Sequence, residues 1–453
     1  MKLSRTRLFV SLSALFLLVS CSSVSKKEAD HQIIPLAGNF QVHRYKLPNQ
    51  LRLLVLEDHS SPTFAYQTWF RVGSRNEVPG KTGLAHLFEH MMFKGTKNYK
   101  QGEFDRLLES AGAQGENAFT SRDYTAYIQE LPSSQLELIV KLEADRMVNL
   151  AIDDHSFATE REVVQNERRF RNENSPDGLM DQELFGIAFK NHPYHWPIIG
   201  YEQDLAKMKA KEAFEFYQAH YSPNQATVVV VGDVNPDRVY SLIQKYYGKI
   251  EPVHHQAKDH KPDSPSVTPQ RKELKLNMQV EKLMVGYPVP PYMNEDIVAI
   301  QVLQTLLADG NSSRLHRALV ETGIATSVDT YDVDNKDPGL LVFAVNLQKG
   351  KKAAEAEKVI LKEFSRLTTQ PVSKAELEKA QNKLDFAYYS GFTSHFMKSM
   401  FLGRYETITG NFEDGIRSHN KIQTISASDI KRVARKYLKP NTRNVITGVP
   451  KKS

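Results

Sequence analysis

The stretch that decides the fold of this chain is Gly83-Leu84-Ala85-His86-Leu87-Phe88-Glu89-His90-Met91-Met92-Phe93. Its apolar residues predict a helix, and Gly95 supplies a stop. On such a helix His86 and His90 lie one turn apart on one face, so their imidazoles can converge on one ion. Glu89 lies on a neighbouring part of that face, within reach of a water bound to the ion. This H-x-x-E-H order is the inverse of the H-E-x-x-H zinc motif.

The chemistry of zinc accounts for these residue types. A catalytic zinc keeps three protein ligands and one water, and it lowers the pKa of that water to roughly 7. A nearby carboxylate takes the proton and returns it to the leaving amine, which is the role we predict for Glu89. Two histidines in an apolar helix can also be ordinary core residues. Burying two histidines and a glutamate without a metal or partners is costly, however, so the motif favours zinc.

A third ligand is expected from the predicted helix at 154–172. Glu160 and Glu167 are two helical turns apart there and share a face. A glutamate on that face, turned towards the two histidines, would complete the coordination. A salt-bridged surface helix is a sufficient explanation for Glu162, Arg168 and Arg169.

With these residues the sequence resembles the pitrilysin/insulinase family of zinc peptidases, in its single-unit bacterial and mitochondrial-processing-type branch. The family has H-x-x-E-H followed by a glutamate 77 residues after the second histidine, and Glu167 follows His90 by 77 residues. The resemblance implies that His86, His90 and Glu167 hold one Zn²⁺ per chain and that Glu89 is the general base. It also implies that Glu160 supports the site and orients the ligands.

Two further stretches resemble family segments. Gln114-Gly115-Glu116-Asn117-Ala118-Phe119-Thr120 is similar to the edge strand on which the family lays its substrate as an added β-strand, although the family has Gly-Gly before Asn-Ala. We therefore expect Asn117 and Ala118 to contact peptide substrates. His192-Pro193-Tyr194-His195-Trp196-Pro197-Ile198-Ile199-Gly200 also matches, and we interpret it as structural because three ligands are already assigned.

The rest of the chain contains two similar halves. Tyr221-Ser222-Pro223-Asn224 precedes a predicted strand at 227–231, and Tyr437-Leu438-Lys439-Pro440-Asn441 precedes Val445-Ile446-Thr447-Gly448, which is typical of a duplicated unit. Strands alternate with helices, and meanders of two to three strands favour an α+β fold over a doubly wound sheet. The resemblance implies that this fold consists of two similar α/β-sandwich domains. The resemblance, over about residues 40–450, implies a clamshell around a chamber that admits peptides and unfolded segments.

The predicted boundaries follow composition for the tether and the linker, and the resemblance for the two domains. They are a lipoprotein signal peptide at 1–20, a flexible tether at 21–38, an N-terminal zinc-bearing domain at 39–250, a linker at 251–270 and a C-terminal non-catalytic homologous domain at 271–453. The linker is rich in Pro, Ser and charge and lacks hydrophobic periodicity. Its histidines are expected to be solvated, namely His254, His255 and His260. The second half is predicted to begin with strand-like sequence from Leu274 to Tyr287.

The N-terminus is typical of an exported protein. Three basic residues precede an apolar run at 8–19, which is shorter than the ~20 residues of a membrane-spanning helix. The run ends in Leu18-Val19-Ser20-Cys21, which resembles a bacterial lipobox with Cys21 as the lipidated residue. A plain signal peptide with an incidental cysteine is the alternative. Because Ser22 follows the cysteine, we predict an outer-membrane lipoprotein that faces the periplasm and touches the membrane only through its anchor.

The net charge of the chain indicates which classes of partner it can bind. The net charge of +6 includes three charges in the signal peptide, and the absence of a long Lys/Arg tract argues against binding to nucleic acid.

Many self-sufficient family members carry an Arg and a Tyr, seven apart, that hold the substrate. Here Val320 and Thr326 stand near those positions, with a spacing one residue shorter. The resemblance therefore implies a homodimer or a heterodimer with an Arg/Tyr-bearing homologous subunit.

Two other functions compete with a zinc endopeptidase. A catalytically silent lipoprotein scaffold or partner subunit would have no use for Glu89, which is present. A zinc-binding transport protein predicts exposed histidine-rich loops at the site, but the histidine-rich stretch lies in the linker. The sequence thus favours the peptidase.

Overall fold

The structure is a computed structural model that describes residues 30–36, 38–253, 264–331 and 333–451. The predicted signal peptide, Cys21, most of the tether and the three linker histidines lie outside the described residues, so these assignments stay predictions. Within the described ranges, no helix is both long enough and apolar enough to cross a bilayer.

The first half is built on seven strands within the described residues. They are β1 (Asp30–Pro35), β2 (Gln41–Lys46), β3 (Arg52–Glu57), β4 (Thr63–Phe70), β5 (Gln114–Thr120), β6 (Thr125–Pro132) and β7 (Ala226–Gly232). They form one sheet in the order β1-β2-β3-β7-β4-β6-β5, with β5 at an edge. Central strand β7 is buried at every position, which explains its unbroken run of valines.

Eight α-helices accompany this sheet in the described part of the chain. They are α1 (Leu84–Met91), α2 (Glu103–Ser110), α3 (Leu136–Asn149), α4 (Asp154–Arg168), α5 (Pro176–Ala188), α6 (Glu202–Leu205), α7 (Ala210–His220) and α8 (Pro236–Tyr247). Apolar side chains from α1, α3, α4, α7 and α8 share one buried cluster with the sheet. The helix that carries the H-x-x-E-H motif is therefore anchored in the core of the first half.

The second half repeats this plan. Its strands are β8 (Gln270–Leu276), β9 (Lys282–Val289), β10 (Ala325–Tyr331), β11 (Gly339–Leu347) and β12 (Asn444–Pro450), and its helices are α9 (Ile297–Ala308), α10 (Ala353–Thr369), α11 (Lys374–Ser390), α12 (His395–Thr409), α13 (Glu413–Ile422) and α14 (Ala427–Tyr437). Strand β12 pairs parallel with β8 and antiparallel with β9, as β7 does with β3 and β4. The predicted α+β fold of two similar domains is confirmed.

One strand prediction is wrong. The stretch from Leu274 to Tyr287 is not continuous strand, because β8 ends at Leu276 and β9 begins at Lys282. The two strands lie on opposite sides of β12 in the sheet. The chain must therefore leave the sheet and turn between them, which an apolar pattern alone does not reveal.

Each half also supplies one helix to the sheet of the other half. Met180 and Leu184 of α5 join a buried cluster with Ile446 of β12. In the opposite direction, Leu402 of α12 packs in a buried cluster with Trp69 of β4. Each sheet is therefore covered by its own helices on one face and by a helix of the other half on the second face.

Candidate metal centre

The start of helix α1 is fixed by residues that precede the motif. Gly83 has a φ of 86°, and a Cβ at this position would overlap the backbone of Ile199, so glycine is required. The Glu77 carboxylate accepts hydrogen bonds from the backbone N–H groups of Gly83 (2.9 Å) and Ala85 (2.8 Å). It thereby satisfies donors that a helix N-terminus leaves without partners.

The structure brings the three predicted ligands together. Glu167 Oε2 lies 3.8 Å from His86 Nε2 and 3.4 Å from His90 Nε2. Bonds of about 2.1 Å at tetrahedral angles place the ligand atoms of a zinc ion about 3.4 Å apart, so this donor set fits zinc. In the described ranges, no other three His, Cys, Asp or Glu side chains meet in a group that could hold a metal ion.

Helix α4 presents both predicted glutamates to α1. The Asp153 carboxylate caps this helix by accepting from the backbone N–H groups of its first turn. Glu160 is buried, and its Oε1 lies 2.9 Å from His90 Nδ1 while Lys94 forms an ion pair with the same carboxylate. The His90 ring is thus held between Glu160 on its Nδ1 side and Glu167 on its Nε2 side.

The two imidazoles differ in protonation. Burial, reinforced by the neighbouring His90, lowers the pKa of His86 to about 4. Burial acts in the same direction on His90, but hydrogen bonds to Glu160 and Glu167 outweigh it and raise the pKa of His90 to about 9. Without a metal ion, these shifts favour a neutral His86 and a cationic His90 between two carboxylates at neutral pH. A divalent cation bound there would take the place of the His90 proton.

Glu89 lies beside the three candidate ligands. Its Oε2 accepts a hydrogen bond of 2.5 Å from the Thr120 hydroxyl. Burial raises the pKa of Glu89, and the Thr120 hydrogen bond opposes that shift. A buried carboxylate with a raised pKa beside a metal position suits a general base. Sequence reasoning did not single out Thr120, although this residue ends the quoted edge strand, because only the sheet places it opposite α1.

A cavity of about 760 Å³ opens over these residues. Asn117 and Ala118, the predicted substrate-contacting residues, line it from edge strand β5. The second half contributes Tyr331 at the end of β10, so both halves border the cavity. Sequence reasoning missed Tyr331 and three charged lining residues, namely Arg122, Arg171 and Asp181.

The segment 192–200 has two parts. His192 is buried and its Nε2 lies 2.9 Å from Asp337 Oδ2 of the second half, while His195 Nδ1 lies 2.8 Å from a backbone carbonyl oxygen. Neither histidine joins the candidate ligands, in line with the structural interpretation. Pro197 to Ile199, in contrast, line the cavity.

The two positions near the expected Arg/Tyr pair do not line the cavity. Val320 is half-buried at the end of a π-helical turn. Thr326 is exposed on β10, and its hydroxyl donates to the Asn346 carbonyl at 3.1 Å. The contribution of β10 to the cavity is Tyr331, five residues further along.

Comparison with known proteins agrees with this architecture. The family model described as "Insulinase (Peptidase family M16)" matches residues 52–202, and the model described as "Peptidase M16 inactive domain" matches residues 207–384. The zinc protease PqqE of Helicobacter pylori is 30% identical over 417 residues, which cover 90% of each chain. A probable mitochondrial-processing peptidase subunit beta of Arabidopsis thaliana is 25% identical over 86% of this chain and 75% of its own length.

A solved structure has the same fold. The crystal structure of a protease from Helicobacter pylori superposes with a TM-score of 0.86 at 28% sequence identity, and the match covers 93% of this chain and 100% of that one. Sequence motif, duplicated fold and relatives thus agree, and the chain belongs to peptidase family M16, the insulinase family.

Proposed function

We propose that this chain is a zinc-dependent endopeptidase that hydrolyses peptides or unfolded protein segments in the cavity between its halves. One observation carries the proposal: Glu89 lies beside the point at which His86, His90 and Glu167 converge. A protein without this chemistry has no need to bury a carboxylate next to a metal-binding group. The relative named a zinc protease supports the same activity at the level of the family.

The ligands and their support have separate roles in this proposal. His86, His90 and Glu167 would hold one Zn²⁺ per chain, which when bound acts as a Lewis acid and lowers the pKa of water. Glu160 would accept a hydrogen bond from His90 Nδ1–H, which leaves Nε2 free as the ligand atom.

The remaining residues would handle the substrate and the proton. Glu89 would take a proton from the attacking water and deliver it to the leaving amine, while the Thr120 hydroxyl holds the carboxylate in place. The open edge of β5 would bind an extended peptide as an added strand, with contacts from Asn117 and Ala118.

The test uses residues 22–453, a pool of unfolded peptides and a Glu89→Gln variant. We expect the wild-type protein to bind one zinc per chain and to cleave the peptides. The variant should keep the zinc and lose activity by about 10²–10⁴-fold, the usual contribution of a general base. Absence of both bound metal and cleavage in the wild-type protein would overturn the proposal.

A second candidate is a partner subunit or scaffold without activity of its own. The observation that favours it is the match of residues 207–384 to the inactive-domain model, together with Val320 and Thr326 near the expected Arg and Tyr. In that case the wild-type protein would bind zinc without cleaving peptides, and activity would appear on addition of a homologous subunit that bears the Arg and Tyr.

We further propose that the protein is exported and lipid-anchored through Cys21, in the outer membrane facing the periplasm. The support is the lipobox-like Leu18-Val19-Ser20-Cys21 followed by Ser22. Incorporation of labelled fatty acid into the wild-type protein, but not into Cys21→Ser, is the expected result. Equal labelling of both proteins would contradict it.

A further inference from the structure

The cavity is bordered by an irregular turn at the end of α4. After Arg168 the helix widens into a π-helical turn, Arg169–Glu173, closed by a hydrogen bond of 2.8 Å from the Asn174 N–H to the Arg169 carbonyl. Such turns recur at functional sites because they displace side chains from the regular helical positions. Here the turn places Arg171 and Asn172 in the cavity lining.

Arg171 is directly connected to the metal position. Its Nη1 lies 2.9 Å from Glu167 Oε1, while Glu167 Oε2 is the oxygen that faces the two histidines. The guanidinium is thus one carboxylate away from the candidate metal ligands. The Arg171 side chain is 69% exposed, and a guanidinium carries five N–H donors in a planar fork, so one contact to Glu167 does not exhaust it.

The other charges around the cavity have counter-charges nearby. Arg122 lies 4.0 Å from Asp181. The two carboxylates nearest the metal position, Glu89 and Glu167, would together balance a bound Zn²⁺. Glu167 is then shared between the zinc and Arg171, so the wall formed by Arg171 and the Asn172 amide carries one excess positive charge. A peptide that places an anion next to the scissile bond would complement this wall.

We propose that Arg171 is a specificity-determining residue that binds a substrate carboxylate beside the scissile bond. The carboxylate is that of an aspartate or glutamate side chain or that of the peptide C-terminus, since both present the same planar group to an arginine fork. The inference rests on the proposed function and names the substrate class that this site prefers.

The test measures binding, so it does not depend on turnover. Zinc-loaded Glu89→Gln protein is titrated with fluorescent peptides in matched pairs: glutamate against glutamine at each position in turn, and a C-terminal carboxylate against a C-terminal amide. We expect the acidic member of at least one pair to bind about tenfold more tightly, as a charge-assisted hydrogen bond implies. Adding Arg171→Gln should bring that ratio to about one, and Arg171→Lys should restore part of it.

Arg169→Gln is the matched control. Arg169 lies in the same π-helical turn and hydrogen-bonds Asn166, away from the cavity lining. This variant should keep the full ratio. Zinc is measured for each variant and only zinc-loaded protein is compared, because a bound Zn²⁺ itself attracts carboxylates and would change the ratio.

Each outcome decides the proposal. A preference in the side-chain pairs identifies internal acidic residues as the ligand, and a preference in the terminal pair identifies the C-terminus. Equal binding within every pair, binding of neither member, or a preference that survives Arg171→Gln overturns the inference. The proposed function is judged separately, by cleavage with the wild-type protein, so the two can fail independently.

Discussion

Glu160 connects the metal site to two cationic groups, because its carboxylate contacts the His90 ring and the Lys94 ammonium. Replacing Glu160 with glutamine removes the charge that orients His90. We expect the affinity for zinc to fall by about 10–100-fold, the usual effect of losing such a partner. The measurement is competition against a chelator at fixed pH.

Glu162→Gln is the control for that variant, since Glu162 is exposed on the same helix. It should bind zinc as the wild-type protein does. Wild-type affinity in Glu160→Gln would show that His90 needs no orienting carboxylate.

Single residues differ in how far sequence predicts their place in the site. His86, Glu89 and His90 sit in one short helix, so their spacing alone predicts their proximity. Thr120 and Arg171 could not be predicted in this way. Thr120 approaches Glu89 through the pairing of strands, and Arg171 lies in a π-helical turn that interrupts an ordinary helical pattern.

At the scale of elements, α12 crosses the first sheet at a glycine. A Cβ at Gly403 would overlap the indole of Trp69, which is fully buried and donates through Nε1 to Gln67 Oε1 at 2.9 Å. Since the indole has no room to move, we expect Gly403→Ala to lower the free energy of unfolding by about 1–3 kcal/mol, the cost of overpacking a core. Urea denaturation measures the change.

Helix α5 provides the matched control. A Cβ at Gly186 would meet no heavy atom within 4 Å. Gly186→Ala should therefore raise the free energy of unfolding by about 0.5–1 kcal/mol, because alanine loses less backbone entropy in a helix. A similar loss of stability in both variants would mean that alanine destabilises both helices in general, and that the contact with Trp69 is not the cause.

Helices and strands were predictable where their apolar pattern is clear. Strand β7 and helix α1 both follow the predicted patterns. The exchange of α5 and α12 between the halves was not predictable. An amphipathic pattern shows that a helix has an apolar side, but it does not show which sheet covers that side. The break between β8 and β9 was not predicted for a similar reason, since the order of strands is a property of the whole sheet.

At the scale of the whole molecule, the Asp337 carboxylate is one of several that join the two halves. Asp337 of the second half accepts hydrogen bonds from His192 (2.9 Å) and Arg75 (2.5 Å) of the first half. Burial disfavours its ionisation, but these two hydrogen bonds outweigh burial and lower the pKa of Asp337 to about 2. The usual pKa of an unfolded aspartate is about 3.9, so this contact stabilises the folded protein above that pH.

This shift sets the pH dependence of the contact. Its stabilisation is complete above about pH 4–5 and is lost as the pH falls towards 2, because Asp337 then takes up a proton in the folded protein. We expect Asp337→Asn to be less stable than the wild-type protein by about 2 kcal/mol at pH 7, with a gap that narrows between pH 5 and pH 2. Thermal unfolding of both proteins across this range is the measurement, and a constant gap would contradict the assignment.

Helices α5 and α12 each pack on the sheet of the other half, and this arrangement restricts how the gene for this fold can be shortened or divided. A product that ends after the first half would leave the Trp69 face of its sheet without the helix that covers it, and a product that begins with the second half would lack the helix that packs against Ile446. Each truncated product would therefore expose an apolar sheet face and be prone to aggregate. If the coding sequence were split between the halves, the two products would have to meet and exchange these helices before either became stable. A single reading frame ensures that encounter, because it makes both partners in equal amounts and on one chain.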